Sequence, residues 1–383
     1  MGASQIIRVE LILITILVIN ILNESILFDL VNKGIINFII LTSIIIIYSM
    51  SKLTKDLYLF LPLFFILLFS VFVNANQTEA GGLNTFVLFI TSLPFLFIKS
   101  RKIDFYYMYR CLFTICLFFL VLIYYYYLFG LQETPEHLSF ILSGPYINQN
   151  TLAMILFSLI SLLMFFYPKI NKGLFKSKSF ILLIFFLYLS VLLTQSRSAI
   201  LLSTILLLYC YRKYLIYITP VSVLLLWLMP VSLIDRSFVE RASSKISEAG
   251  SSGRVDFWYK TFSDLTTNVV SFLFGIGVNN VTIKVDDISF SVHSSYVNFI
   301  ANYGFLASIF MSFILIYIMY NSYKLSRLLF LIIFSILLYG AFETTLFSGY
   351  SILWLSMLFI YYSRTCLRDH DAYFNHSVRT SSH

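Results

Sequence analysis

Apolar runs long enough to cross a bilayer fill nearly all of this chain, and the charges collect in the short loops between them. A spanning helix needs about 20 mostly apolar residues. Twelve segments fit, at about 7–23, 35–50, 57–74, 83–98, 106–130, 150–167, 179–194, 198–212, 214–232, 295–320, 326–342 and 349–363. The pair around 179–212 is short and meets at the polar Thr194-Gln195-Ser196-Arg197. The run from Leu11 to Leu22 lacks a small-residue cleavage site and leads into further spans, so it is expected to stay as the first helix.

Composition agrees with that pattern. Only 11% of the 383 residues are charged and 59% are hydrophobic, with a mean hydropathy of +0.88. A soluble domain carries roughly 25% charged residues. No hydrophilic block is long enough to bury a core of its own, so the expected fold class is an all-α polytopic integral membrane protein of about twelve helices. The four cysteines fall in apolar runs or in the tail, so no disulfide framework is expected.

The net charge of +8 does not mark a nucleic-acid binder, because most basic residues orient helices from short loops. Alternate loops put Lys52 and Lys55, Lys99 to Lys102, Lys169 to Lys178, Arg212 and Lys213, Lys324 and Arg327, and the tail arginines on one side. With Arg8 and Arg110 that side holds 18 of the 26 basic residues and is expected to be cytoplasmic. Both termini then lie in the cytoplasm. Residues 1–232 hold nine helices, 233–294 form a long outer loop, 295–363 hold three more helices, and 364–383 are a cytoplasmic tail.

Seven of the eight remaining cations lie at Arg197 or in the long loop, which carries Arg236, Arg241, Lys245, Arg254, Lys260 and Lys284. Long loops do translocate regardless of charge, so single arginines there have an ordinary explanation. Arg197 alone would suit a helix anchor that reaches for the interface. Within the loop, Val255, Trp258, Tyr259, Phe262 and Leu265 recur at helical spacing after Ser251-Ser252-Gly253, which places Arg254 at a helix N-terminus, where anions are favoured. Arg236 to Glu248 reads as a second, surface-lying amphipathic helix.

Four outer elements converge in this topology: Ser143 to Asn150, Thr194 to Ser198, Ser252 to Trp258 with Phe274-Gly275-Ile276-Gly277, and His293-Ser294-Ser295-Tyr296 with Gly304. Arginine suits phosphate because its planar fork donates two parallel charge-assisted hydrogen bonds. His293, the only histidine of the long loop, has the right chemistry to take a proton from a sugar hydroxyl near neutral pH, although an interfacial histidine is the plainer alternative. Tyr124 to Tyr127 read as part of an aromatic belt. No P-loop, dinucleotide fingerprint or nucleophile elbow appears, and Asp286-Asp287 near His293 lacks metal-site spacing.

In this order, the Asn148-Gln149-Asn150 turn with Ala153, Thr194 to Arg197, Ser252 to Trp258, Phe274 to Gly277 and His293 to Gly304 resemble the O-antigen polymerase and ligase superfamily of bacterial envelope enzymes. The resemblance covers the outer face of the C-terminal two-thirds. It implies a GT-C-like glycosyltransferase of the inner membrane, working on its periplasmic face. The implied substrates are undecaprenyl-pyrophosphate-linked oligosaccharides as donor and acceptor, with a chain-length regulator protein and membrane lipid as partners and no cofactor or metal. Carried over by position, Arg197 and Arg254 contact the pyrophosphate and His293 is the base. Asn148, Asn150, Trp258, Arg241 and Arg236 support the site. Ligases often show His-Asn where this chain has His293-Ser294, and many members have an acidic residue where it has Tyr303 before Gly304. The resemblance favours a repeat-unit polymerase, with O-antigen ligase second. A polysaccharide transporter or flippase is the alternative of another class.

Overall fold

The computed structural model describes residues 14–19, 21, 57–74, 92, 105–131, 141–146, 148–170, 178–212, 254–277, 282–285, 288–291, 294–347 and 351–363. Its helices are α1 (Leu57–Val73), α2 (Phe105–Leu128), α3 (Gln149–Ile170), α4 (Lys178–Leu193), α5 (Arg197–Tyr211), α6 (Arg254–Leu265), α7 (Val269–Phe274), α8 (Ser295–Leu325), α9 (Arg327–Phe342) and α10 (Ile352–Ser363). Eight of these follow the apolar runs of the sequence closely. The segments expected at 35–50 and 214–232, most of that at 83–98, and the surface helix at 236–248 lie outside the described residues.

Three of the helices, α2, α3 and α8, are long and apolar enough to cross a membrane, and α1, α4, α5, α9 and α10 are shorter apolar helices. α3 is the centre. It packs against α2, α4, α5, α9 and α10, and its residues 152–166 are all buried. Phe157 stacks on Tyr339 of α9 at 5.3 Å, and Phe166 meets Phe359 of α10 at 5.4 Å. The outer faces carry exposed apolar side chains instead, such as Phe72, Phe118, Val121 and Phe313. Contiguous exposure of that kind suits a lipid environment rather than water.

Cross-helix contacts fix the directions. Tyr188 and Thr204 are hydrogen-bonded at 2.7 Å across the α4–α5 turn, so those helices are antiparallel. Tyr109 of α2 meets Phe180 near the start of α4, and Tyr124 accepts from Ser190 near its end, so α2 and α4 run parallel. One end of the bundle therefore gathers the ends of α2, α4 and α9 and the starts of α3, α5, α8 and α10. The other holds Arg110, Lys178, Arg212, Lys324 and Arg327. There Arg110 lies 5.7 Å from the Tyr106 ring, Arg212 5.4 Å from Tyr209 and Lys324 4.3 Å from Tyr320. Such cation–aromatic pairs suit a membrane interface.

The long loop corrects the expectation of helices alone. It contains an antiparallel hairpin, β1 (Thr282–Val285) with β2 (Ile288–Ser291), in the register Thr282↔Ser291 to Val285↔Ile288. The cause is local: β-branched and aromatic residues alternate there with polar ones, at the period of a strand.

If a bilayer separates the two ends, single cysteines in a Cys111, Cys116, Cys210 and Cys366→Ser background should label from opposite sides. An impermeant maleimide should reach Leu131→Cys and Thr267→Cys from one face of sealed vesicles, and Lys178→Cys and Lys324→Cys only from the other. Labelling of all four from one face would contradict this arrangement.

Candidate functional site at one end of the bundle

The last turn of α9 organises this end. The carbonyl of Glu343 accepts the Ser295 N–H at 2.9 Å and also the Ser295 hydroxyl. That hydroxyl oxygen in turn accepts the Leu346 N–H at 2.9 Å. One residue further on, Tyr296 donates to the Leu337 carbonyl at 2.7 Å. The start of α8 is thus stitched to α9, two residues after His293.

On the other side of the same turn lies the Thr194–Ser198 loop. Gln195 takes φ +55, the only non-glycine residue with positive φ among those described. Thr194 Oγ1 donates to the Val191 carbonyl at 2.7 Å and accepts the Ser196 N–H at 3.3 Å, which holds the loop tight. The Tyr339 hydroxyl lies beside those of Ser196 and Ser198, with Glu343 nearby. Arg197 opens α5 with an exposed side chain. The first N–H groups of that helix have no intrahelical acceptor, so they add to the attraction for an anion.

The third component is a break in α8. Gly304 adopts φ +74 and ψ −175 inside the helix. The released backbone is met by its neighbours: the Ala301 carbonyl accepts the Ile276 N–H at 2.8 Å, and the Asn302 carbonyl accepts the Ser70 hydroxyl at 3.4 Å. The single Ser70 hydroxyl hydrogen is shared with the Phe274 carbonyl, the nearer of its two acceptors, which the Asn74 side-chain N–H also reaches at 3.2 Å. Two glycines make this approach feasible. A Cβ on Gly275 would stand 2.4 Å from the Asn302 oxygen, and one on Gly304 would stand 2.3 Å from the Leu273 oxygen. The loop after α7 therefore lies on bare backbone. Trp258 of α6 packs next to it on Val297 and Ala301.

The predicted site residues are distributed as follows. Arg197 and the residues following His293 border the last turn of α9, and α6, which begins at Arg254, packs on α8. His293, Arg236, Arg241 and the Arg254 side chain lie outside the described residues. Asn148 has a local task, since its Oδ1 accepts the Asn150 N–H at 2.8 Å and caps α3. The Ser143–Tyr146 stretch, expected among the outer elements, is buried. Gly144 (φ +60) fits against Ile123 and Leu152, and the Tyr146 hydroxyl donates to the Ile21 carbonyl at 2.8 Å. The pull is the aromatic ring of Tyr146, which packs on Phe119 with no exposed surface. Sequence reasoning missed Tyr339 and Glu343. Only Glu343, an acid at the end of an apolar run, carried a visible signal.

No known protein family matches this sequence, and no curated protein matches it significantly.

Gly275→Ala and Gly304→Ala should each prevent stable folding, read as loss of a monodisperse peak and of membrane abundance. Gly130→Ala shares the positive φ but meets nothing within 4 Å, and should cost only about 1–2 kcal/mol. Wild-type behaviour of Gly304→Ala would contradict the backbone contact. Asn148→Ala should lower stability by about 1 kcal/mol and Asn148→Ser should restore it, measured by thermal denaturation in detergent.

Proposed function

We propose that this chain is a polytopic glycosyltransferase of the bacterial inner membrane, with about twelve spans, a GT-C-like architecture and an active site on the periplasmic face. In this reading it joins undecaprenyl-pyrophosphate-linked oligosaccharide repeat units into O-antigen or capsular polysaccharide. The observation that carries it is convergence at one end of the bundle. The Arg197 loop, the last turn of α9 and the start of α8, which follows His293 in the chain, adjoin one another there, while the opposite end is basic and aromatic, as a cytoplasmic face should be.

The mechanism takes the residue roles that the resemblance implies. One carrier presents its growing chain with the pyrophosphate held by Arg197 and Arg254. The sugar hydroxyl of a second carrier-linked unit attacks the anomeric carbon, and His293 takes its proton. The new carbon–oxygen bond forms as the bond to pyrophosphate breaks, and undecaprenyl pyrophosphate departs with the electron pair. Charge grows on that leaving group, so the arginines act mainly on rate.

The ligase reading uses the same donor and passes finished polymer to lipid A–core. The transporter reading would use a broken helix whose freed carbonyls face an ion or substrate. Here the break in α8 is occupied by Ile276 and Ser70, which favours an enzyme over a transporter.

Deletion of the gene should remove the long-chain polysaccharide ladder and leave core capped with single repeats. Wild type should restore the ladder, whereas His293→Ala should not, and Arg254→Lys should cut polymer by about 100-fold or more because lysine lacks the bidentate fork. Loss of all capping would make the protein a ligase. An unchanged ladder with His293→Ala would sink the enzymatic reading.

A further inference from the structure

Two carboxamides on α8 have no role in the account so far. Asn298 and Asn302 stand one helical turn apart and therefore share a face. Each has a buried Oδ1 that accepts no hydrogen bond from the described residues. Asn302 is only 7% exposed, and Asn298 is half-buried, so the pair is approached past Asn298. Ser294 and Ser295 continue the polar line to the start of the helix, where His293 precedes them. From Ser295 to Asn302 the line runs about 10 Å along the axis.

The surroundings select the ligand. Val297 and Ala301, backed by Trp258, form one wall. Phe299, which meets both Tyr303 and Phe347 at 5.1 Å, forms the other. The two unmatched carboxamide oxygens can only accept, so they call for a group that brings a hydrogen, which an ionised pyrophosphate does not. Hydroxyl groups suit them, and a ring with hydroxyls on its rim and C–H groups on its faces suits the walls as well. An unmet acceptor in such a site costs about 1–3 kcal/mol, a cost that a donated hydroxyl hydrogen bond removes.

We propose that Asn298 and Asn302 form a glycan subsite that binds hydroxyls of the sugar nearest the reacting bond and aligns it along the first turns of α8. The proposal rests on the glycosyltransferase reading and adds to it a place for the sugar, separate from the arginines that hold the charged head.

The test is a binding comparison with purified full-length protein in nanodiscs. One probe is the repeat-unit-linked undecaprenyl pyrophosphate extracted from a strain deleted for this gene. The other is sugar-free undecaprenyl pyrophosphate. Wild type should prefer the glycan-bearing carrier. Asn298→Ala and Asn302→Ala should each weaken that binding by about five- to tenfold and leave the sugar-free carrier unaffected, which also reports a folded variant. If Asn302→Ala loses both, the half-buried Asn298→Ala decides. Variants that keep the wild-type preference would overturn the subsite while leaving the glycosyltransferase reading intact. Equal wild-type affinity for the two probes would overturn it too, and failure to bind either carrier would remove the underlying reading along with it.

Discussion

In an apolar bundle, every backbone carbonyl that leaves a helix must find a donor inside the protein. The break at Gly304 sets that requirement, and the rest of this end of the molecule answers it. Ile276 supplies one N–H and Ser70 one hydroxyl, while Ser308 donates to the Gly304 carbonyl at 2.8 Å. Meeting these bonds brings the loop after α7 and the end of α1 onto α8 at a single point. Gly275 and Gly304 allow the approach because neither presents a side chain to the other's backbone.

That contact bears on the proposed chemistry. It anchors the C-terminal part of the long loop to the first turns of α8, beside the α9 turn to which Ser295 is bonded. The residues after His293 are therefore held from two sides, by α9 and by the docked loop. The loop that carries Arg197 meets α9 through Ser196 and Ser198 beside Tyr339, and its backbone is fixed by Thr194 and Gln195. A site that must align a hydroxyl, a base and a leaving group needs such fixed supports, because small displacements cost large factors in rate.

The helices were legible because a spanning segment announces itself in about 20 consecutive apolar residues, and α2, α3 and α8 do so plainly. Arg197 and Arg254 stood out as cations on the side that otherwise excludes them. The glycines of Phe274-Gly275-Ile276-Gly277 and Gly304 were visible as a pattern, but not as partners. Their contact joins residues far apart in sequence, and local periodicity carries no record of it. Asn298 and Asn302 were hidden for a related reason: within an apolar run, a single carboxamide reads as an ordinary polar interruption. Tyr146 was hidden in the same way. Its Ser-Gly-Pro neighbours read as a turn leading into a span, and the contacts of its ring and hydroxyl with Phe119 and the Ile21 carbonyl join residues far apart in sequence. The hairpin of β1 and β2 is written in alternation at period two, over runs of only four residues each.

Reconstitution measures the central claim most directly. Purified protein would be placed in liposomes with repeat-unit-linked undecaprenyl pyrophosphate as the sole added substrate, and the lipid-linked products would be read by mass spectrometry. A repeat-unit polymerase would give a series of glycans growing by whole repeats, with one undecaprenyl pyrophosphate released for each bond formed. Carrier recovered unchanged, or moved across the bilayer without any chain growth, would contradict it.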